Sequence, residues 1–251
     1  MNKPPITYDR DGLTTIHNAD FLDDPKFQRA MKRAALAHVH YPIEWRIHIV
    51  LWAAQNAMRI EGDFIECGVN RGFTASAVLD YLDWNKTHNG RRFYLMDTFN
   101  GLVKDQISPE ERQIGRYEEF KDIYTECYEL TKKNFAEFED VILIRGRIPD
   151  TLKENPARQI AFMHIDMNCA APETAALRHF WPKMTSGGII VLDDYAYHGY
   201  LPQKQAMDAL AKELGFAVLS LPTGGGMIIK QPDANSSGLL ERILRGFGYR
   251  T

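Results

Sequence analysis

Three carboxylates, Asp166, Asp193 and Asp194, have the types and spacing that point most directly to chemistry. Asp166 closes the apolar run 160–165, and Asp193-Asp194 closes the run 189–192. If both runs are parallel neighbours, roughly 5 Å apart, their carboxyl ends bring these groups to one place. Uncompensated carboxylates that close repel and raise one another's pKa. A hard divalent cation removes the conflict, and Mg2+ prefers a few carboxylates plus waters and substrate oxygens. The plainer alternative is that Asp193 and Asp194 only cap the loop after them.

A second stretch lies earlier in the chain, Asp63-Phe64-Ile65-Glu66-Cys67-Gly68-Val69-Asn70-Arg71-Gly72. It runs from a short apolar strand through a glycine turn into a small-residue helix. This is the first strand, loop and helix of an open α/β sheet, whose ligands lie at the carboxyl ends of the strands. The dinucleotide fingerprint G-x-G-x-x-G is not met: the spacing is E-x-G-x-x-x-G, with Glu66 where a glycine would sit. A carboxylate there repels a pyrophosphate but suits a ligand with a cationic amino group and no phosphate, such as S-adenosylmethionine (SAM). Asp97, closing the predicted strand 92–96, has the offset of a carboxylate that binds ribose hydroxyls, with a loop cap as its alternative. Gly146 follows a strand at 141–144, where a flat base could slide against backbone.

The elements that must position these residues follow from periodicity. Residues 1–24 read as an irregular arm. A helix is expected over 25–39, with Phe27, Ala30, Met31, Ala34, Ala35 and Leu36 apolar, and a second opens at Pro42 and runs to Gly62. Residues 101–119 read as a charged, lid-like mobile loop with some helix, and 120–138 as one helix. Helices are also expected over 172–180 and 203–214. The segments 216–221 and 227–230 flank Pro222-Thr223-Gly224-Gly225-Gly226 and read as a hairpin. The fold class expected is α/β: a Rossmann-like methyltransferase sheet of parallel strands with a terminal antiparallel hairpin, helices on both faces and extra N-terminal helices. Leu240, Ile243, Leu244 and Phe247 mark a C-terminal helix that could dock on the body or on a second copy, making a homo-oligomer an open alternative.

In 251 residues, a hydrophobic share of 45% and a charged share of 25% fit a globular α/β domain with additions. A net charge of -3 implies no nucleic-acid partner. No apolar run reaches the roughly 20 residues needed to cross a bilayer, and no signal peptide is read. Cys67, Cys127 and Cys169 lack paired spacing, so reduced thiols and a cytoplasmic location are expected.

Taken in order, Phe64-Ile65-Glu66-Cys67-Gly68-Val69-Asn70-Arg71-Gly72, Met96-Asp97-Thr98-Phe99-Asn100-Gly101-Leu102, Gly146 with Pro149-Asp150-Thr151-Leu152, His164-Ile165-Asp166 and Gly187-Gly188 through Asp193-Asp194-Tyr195 resemble the macrocin O-methyltransferase (TylF-type) family. That family is similar in metal logic to catechol O-methyltransferase. The resemblance spans about residues 40 to 230. It implies a SAM- and Mg2+-dependent O-methyltransferase, typically acting on a sugar hydroxyl of a natural product or glycan. It puts SAM on Glu66, Gly68, Val69, Asn70, Arg71, Gly72, Asp97, Thr98, Phe99, Gly146, Arg147 and Ile148. It puts the metal on Asp166, Asp193 and Asp194, with Asp166 also counted beside the cofactor. The corresponding division is an N-terminal arm and helical cap over 1–60, a methyltransferase domain over 61–230, and a linker and C-terminal helix over 231–251.

One position departs from the pattern. A general base usually stands two or three residues past the first metal aspartate, and here Asn168 and Cys169 occupy those places. An amide accepts no proton, and a thiol has a reference pKa near 8.5. His198 is the candidate replacement, since histidine suits general-base work near neutral pH; an exposed loop histidine is the alternative. His164 reads as a packed strand residue, and His38 and His40 as surface residues that could touch substrate. Two other functions stay open: a catalytically inactive SAM-binding protein of this fold, which Asn168 favours, and a metal-dependent nucleotide-sugar glycosyltransferase, which Glu66 disfavours.

Overall fold

A computed structural model describes residues 4–37 and 41–232. In chain order the elements are β1 (Tyr8–Arg10), β2 (Leu13–Thr15), α1 (Pro25–Ala37), α2 (Glu44–Ala57), β3 (Asp63–Cys67), α3 (Phe73–Tyr81), α4 (Trp84–Thr87) and β4 (Phe93–Asp97). They continue with α5 (Pro109–Gln113), α6 (Arg116–Phe120), α7 (Tyr128–Asn134), β5 (Val141–Arg145), β6 (Ile160–Ile165), α8 (Ala170–Phe180), β7 (Met184–Leu192), α9 (Leu201–Leu214), β8 (Leu219–Ser220) and β9 (Gly226–Ile229).

Seven strands form one sheet in the order β5-β4-β3-β6-β7-β9-β8. The first five are parallel; β9 runs antiparallel to β7 and to β8. The central strands are nearly continuous apolar runs because a parallel sheet is covered on both faces. Phe64, Leu95, Phe162 and Val191 point into one core, under α1, α2 and α3. Ile65, Met96, Met163 and Leu192 point into the other, under α8 and α9. This is the Rossmann-like methyltransferase sheet expected above. Among the described residues, no helix is long and apolar enough to cross a membrane.

The order of the sheet reverses between β3 and β6: from β3 the chain builds outward through β4 and β5 on one side, then returns to β6 and β7 on the other, and a cleft opens above the carboxyl ends of β3 and β6. The ladder continues past them: Asp166 N donates to Cys67 O at 2.8 Å, and Asp193 N to Ile165 O at 2.9 Å. These bonds fix the loops after β3, β6 and β7 side by side.

Four expectations need correction. Residues 8–15 are an antiparallel hairpin rather than an irregular arm. Its two-residue turn, Asp11-Gly12, has φ of 53° and 71°, and Asp-Gly is the pair that adopts such a turn most readily. The second helix starts at Glu44, two residues past Pro42. The helix expected within 101–119 is two short ones, α5 and α6, and 120–138 holds only the short α7 in place of one long helix. A capping box of Ser108 and Glu111 opens α5, and Cys127 N is drawn to Phe99 O at 2.9 Å, which interrupts the run between α6 and α7. Leu36, expected on the packed face of α1, is 80% exposed, while Phe27, Ala30, Met31 and Ala34 are buried. His38, His40 and the expected C-terminal helix at 239–247 lie outside the described residues.

Candidate active site

A cavity of about 590 Å³ opens above the carboxyl ends of β3, β4, β6 and β7. Of the residues expected to hold SAM, Glu66, Gly68, Val69, Asn70 and Arg71 line it, as do Asp97, Thr98, Phe99, Gly146 and Ile148. The three carboxylates and His198 line it too. Two expected residues point elsewhere. Gly72 begins α3 with Phe135 packed where a side chain would be. Arg147 turns outward to Asp105 and Asp150, 3.0 Å from each.

The glycine loop is held from beneath by Asp97. Its Oδ2 accepts Val69 N at 2.6 Å and Asn70 N at 2.7 Å; its Oδ1 accepts Phe99 N at 2.7 Å and the Thr98 hydroxyl at 3.2 Å. A carboxylate has about four acceptor positions, and all are engaged. Asp97 therefore works here as the clamp that shapes the loop. Asp97→Asn would turn an amide NH2 toward backbone N–H groups, and SAM affinity should fall roughly tenfold by calorimetry, the cost of about one lost hydrogen bond to a charged group.

Glu66 and His164 form a buried pair across β3 and β6, with His164 Nδ1 2.9 Å from Glu66 Oε1. Burial alone would lower His164, but Asp193 and Glu66 outweigh it and raise its pKa to about 10. Glu66 Oε2 is buried without a hydrogen-bond donor among the described residues. A lone carboxylate acceptor beside the loop fits the ammonium group of SAM.

Asp166, Asp193 and Asp194 each offer an oxygen within 4.8 Å of the others'. Burial would raise Asp193, but Arg46 and His164 hold it down at about 2. Arg46 Nη1 lies 2.6 Å from Asp193 Oδ2, and His164 Nε2 lies 3.9 Å from Oδ1. Asp166 and Asp194 are raised well above the ordinary carboxylate range, by burial first and then by the charge of their neighbours. Three carboxylates with oxygens within 4.8 Å of one another, two of them raised by burial and mutual repulsion, are a donor set suited to a hard divalent ion.

The residues after Asp166 are firmly tied. Asn168 donates Nδ2 to Asp166 Oδ1 at 3.0 Å and accepts the Tyr200 hydroxyl at 2.6 Å. Tyr200 in turn lies 3.6 Å under the Arg116 guanidinium. Cys169 is buried against Gln106 O and Glu111, and burial followed by the Glu111 charge pushes its thiol far up, which removes it as a base. Glu111 also accepts Ala170 N, the first residue of α8, at 2.8 Å, so a buried anion from α5 caps that helix. The region expected as a lid is thereby tied to α8 through Glu111 and to the loop before α9 through Arg116. Sequence reasoning missed Arg46, Glu111, Arg116 and Tyr200. The capping box at Ser108 was a readable sign of α5; the other partners are joined only by folding.

Glu173, in the first turn of α8, is raised to about 8 by burial and then by Asp166. A carboxyl raised above its unfolded value near 4.5 adds stability that is complete below that value and lost as pH climbs through 8. Without added metal, the protein should therefore lose stability between pH 5 and pH 8. Glu173→Gln should melt with the wild type at pH 4.5 and roughly 3 °C above it at pH 8.

Sheet order and the strand–glycine loop–helix unit are those of the Rossmann-like methyltransferase fold. The model of the macrocin-O-methyltransferase (TylF) family matches residues 46–213, more than half of the chain, and the chain belongs to that family. It is similar to an 8-demethyl-8-(2,3-dimethoxy-alpha-L-rhamnosyl)-tetracenomycin-C 4'-O-methyltransferase of Streptomyces olivaceus, with 25% identity over 55% of this chain and 54% of the relative. It is also similar to a mycinamicin III 3''-O-methyltransferase of Micromonospora griseorubida, with 25% identity over 60% of this chain and 62% of the relative. The chain thus spans little more than half the length of the curated relatives it matches. Among solved structures it is similar to the O-methyltransferase NovP, with a TM-score of 0.65 and 20% identity over 74% of this chain and 80% of that one. The calicheamicin methyltransferase CalS11 gives 0.55 and 17% over 91% and 99%. Both likenesses support the fold.

Proposed function

We propose that this protein is a SAM-dependent, divalent-metal-dependent O-methyltransferase acting on a hydroxyl of a sugar carried by a natural product or glycan precursor. The observation that carries this reading is the juxtaposition, in one cavity, of the clamped glycine loop and three strand-end carboxylates whose oxygens lie within 4.8 Å of one another. The names of the curated relatives, whose acceptors are glycosylated compounds, support the sugar.

SAM supplies an electrophilic methyl group, and transfer to oxygen is an in-line displacement that depends mainly on alignment. A divalent ion on Asp166, Asp193 and Asp194 supplies Lewis acidity that lowers the acceptor hydroxyl's pKa. The chain's own residues do the rest. Glu66 Oε2 would hold the ammonium group of the donor, and the backbone of Gly68 to Arg71 would line the rest of its site. Asn168, fixed by Tyr200, orients Asp166. His198, exposed at the mouth of the cavity, is the group we assign to take the acceptor's proton.

The test is transfer of labelled methyl from SAM to a panel of glycosides with neighbouring hydroxyls, with chelator and with Mg2+ restored. Label on a sugar oxygen, lost with chelator and regained with Mg2+, is expected. Turnover undiminished by chelator would remove the metal from the mechanism. Thermal stabilisation by nucleotide sugars with none by SAM would favour the glycosyltransferase alternative.

A further inference from the structure

The N-terminal hairpin is joined to the carboxylate cluster through one guanidinium. Arg46, on the first turn of α2, donates Nε to Asp11 Oδ2 at 2.8 Å and Nη2 to Asp11 Oδ1 at 2.7 Å. Its remaining arm, Nη1, reaches Asp193 Oδ2 at 2.6 Å and lies 3.6 Å from Asp194 Oδ1. The side chains of Arg46 and Asp11 are only 12% and 8% exposed, so their charges are poorly screened. Tyr197 completes the cage: its hydroxyl donates to Asp11 Oδ1 at 3.1 Å, and its ring lies 4.5 Å from the guanidinium.

Asp11 does not depend on Arg46 for its place. It sits in the tight turn between β1 and β2, and the hairpin is pinned separately to the start of α2. Arg10 bonds Glu44 Oε1 at 2.5 Å and the Tyr8 hydroxyl bonds Glu44 Oε2 at 3.1 Å. A fixed anion thus faces the far side of a cation whose near side faces the cluster.

The electrostatic consequence has a definite sign. Arg46 competes with a divalent ion for Asp193 and Asp194, and Asp11 offsets part of that competition. We propose that Arg46 and Asp11 are a tuning pair for the divalent-cation site: Arg46 occupies one oxygen of Asp193 and weakens cation binding, and Asp11 limits how far it does so. The N-terminal hairpin is then a positioning element of the active site, although it precedes the first strand of the main sheet by some fifty residues. This rests on the metal reading proposed above.

The test is Mn2+ binding to the full-length protein, read from the electron paramagnetic resonance signal of the free ion, with calorimetric SAM binding as a check on the fold. Arg46→Met should tighten Mn2+ binding roughly tenfold, and Asp11→Asn should weaken it roughly tenfold, the lower end of what partners of metal ligands contribute. Asparagine tolerates the positive φ of the turn, so the second variant keeps the hairpin. Arg46→Lys, which retains the charge, should stay within about threefold of the wild type. A packing fault weakens binding in both variants, whereas opposite shifts arise only from charge. Shifts in the same direction, or both within twofold of a wild type that binds Mn2+, would overturn the tuning pair and leave the metal site standing. A wild type that binds SAM but no Mn2+ would overturn both.

Discussion

Asp166→Ala is expected to reduce methyl transfer by about 10³-fold or more while leaving SAM affinity within about threefold of the wild type. A loss of that size is about 4 kcal/mol of transition-state stabilisation, within what a Lewis-acidic ion supplies to a developing oxyanion. Asp166 is one of three carboxylates whose oxygens meet within 4.8 Å, and it is half-buried between the loops after β3 and β7. Alanine keeps the backbone N–H that donates to Cys67 O, so the ladder beneath the glycine loop survives. The loop itself is shaped by Asp97, which the substitution does not touch. Single-turnover assays beside SAM calorimetry separate the two effects. Equal losses in both would mean that Asp166 serves the donor alone.

Gly68→Ala should damage both halves of the site at once. Gly68 has a φ of 89°, where an L side chain is strained, and a Cβ there would stand 1.7 Å from the backbone oxygen of Asp166 and 2.4 Å from its carbonyl carbon. Neither atom belongs to a flexible side chain, so the donor loop and the strand-end bearing the first metal carboxylate must separate. Strain and overpacking together should cost at least about 3 kcal/mol. That corresponds to a fall in melting temperature on the order of 10 °C for a chain of this size, with SAM binding lost in whatever folds. A variant melting within 2 °C of the wild type and binding SAM would contradict this packing of β3 against β6.

Legibility in the sequence follows the range of the forces involved. The five parallel strands could be read because burial on both faces makes each a nearly continuous apolar run, and because each central run ends in a glycine or an aspartate where the chain meets the cleft. The cluster of Asp166, Asp193 and Asp194 could be read for the same reason: strand ends in a parallel sheet are neighbours by construction. The 101–138 region was misread because its breaks are tertiary. Cys127 N turns to Phe99 O, Glu111 is drawn to the start of α8, and Arg116 to Tyr200 and Gly199 O. The Asp11-Gly12 turn carried a local signal that the surrounding polar residues obscured. Arg46 had none, since nothing in a helix 147 residues before Asp193 marks which of its faces will meet that carboxylate. Asp97 shows a further limit: the offset that suggests a ribose contact also places it under the loop as a clamp, and the spacing does not separate the two roles.

The most direct measurement is calorimetric titration of SAM, and of its demethylated product, into the purified protein with and without Mg2+. Binding of both at one site per chain, with affinity for the donor present before metal is added, is the predicted result. It would put the cationic ligand on Glu66 and the clamped loop, and leave the carboxylates for the ion and the acceptor. A folded protein that binds neither would contradict the methyltransferase reading itself.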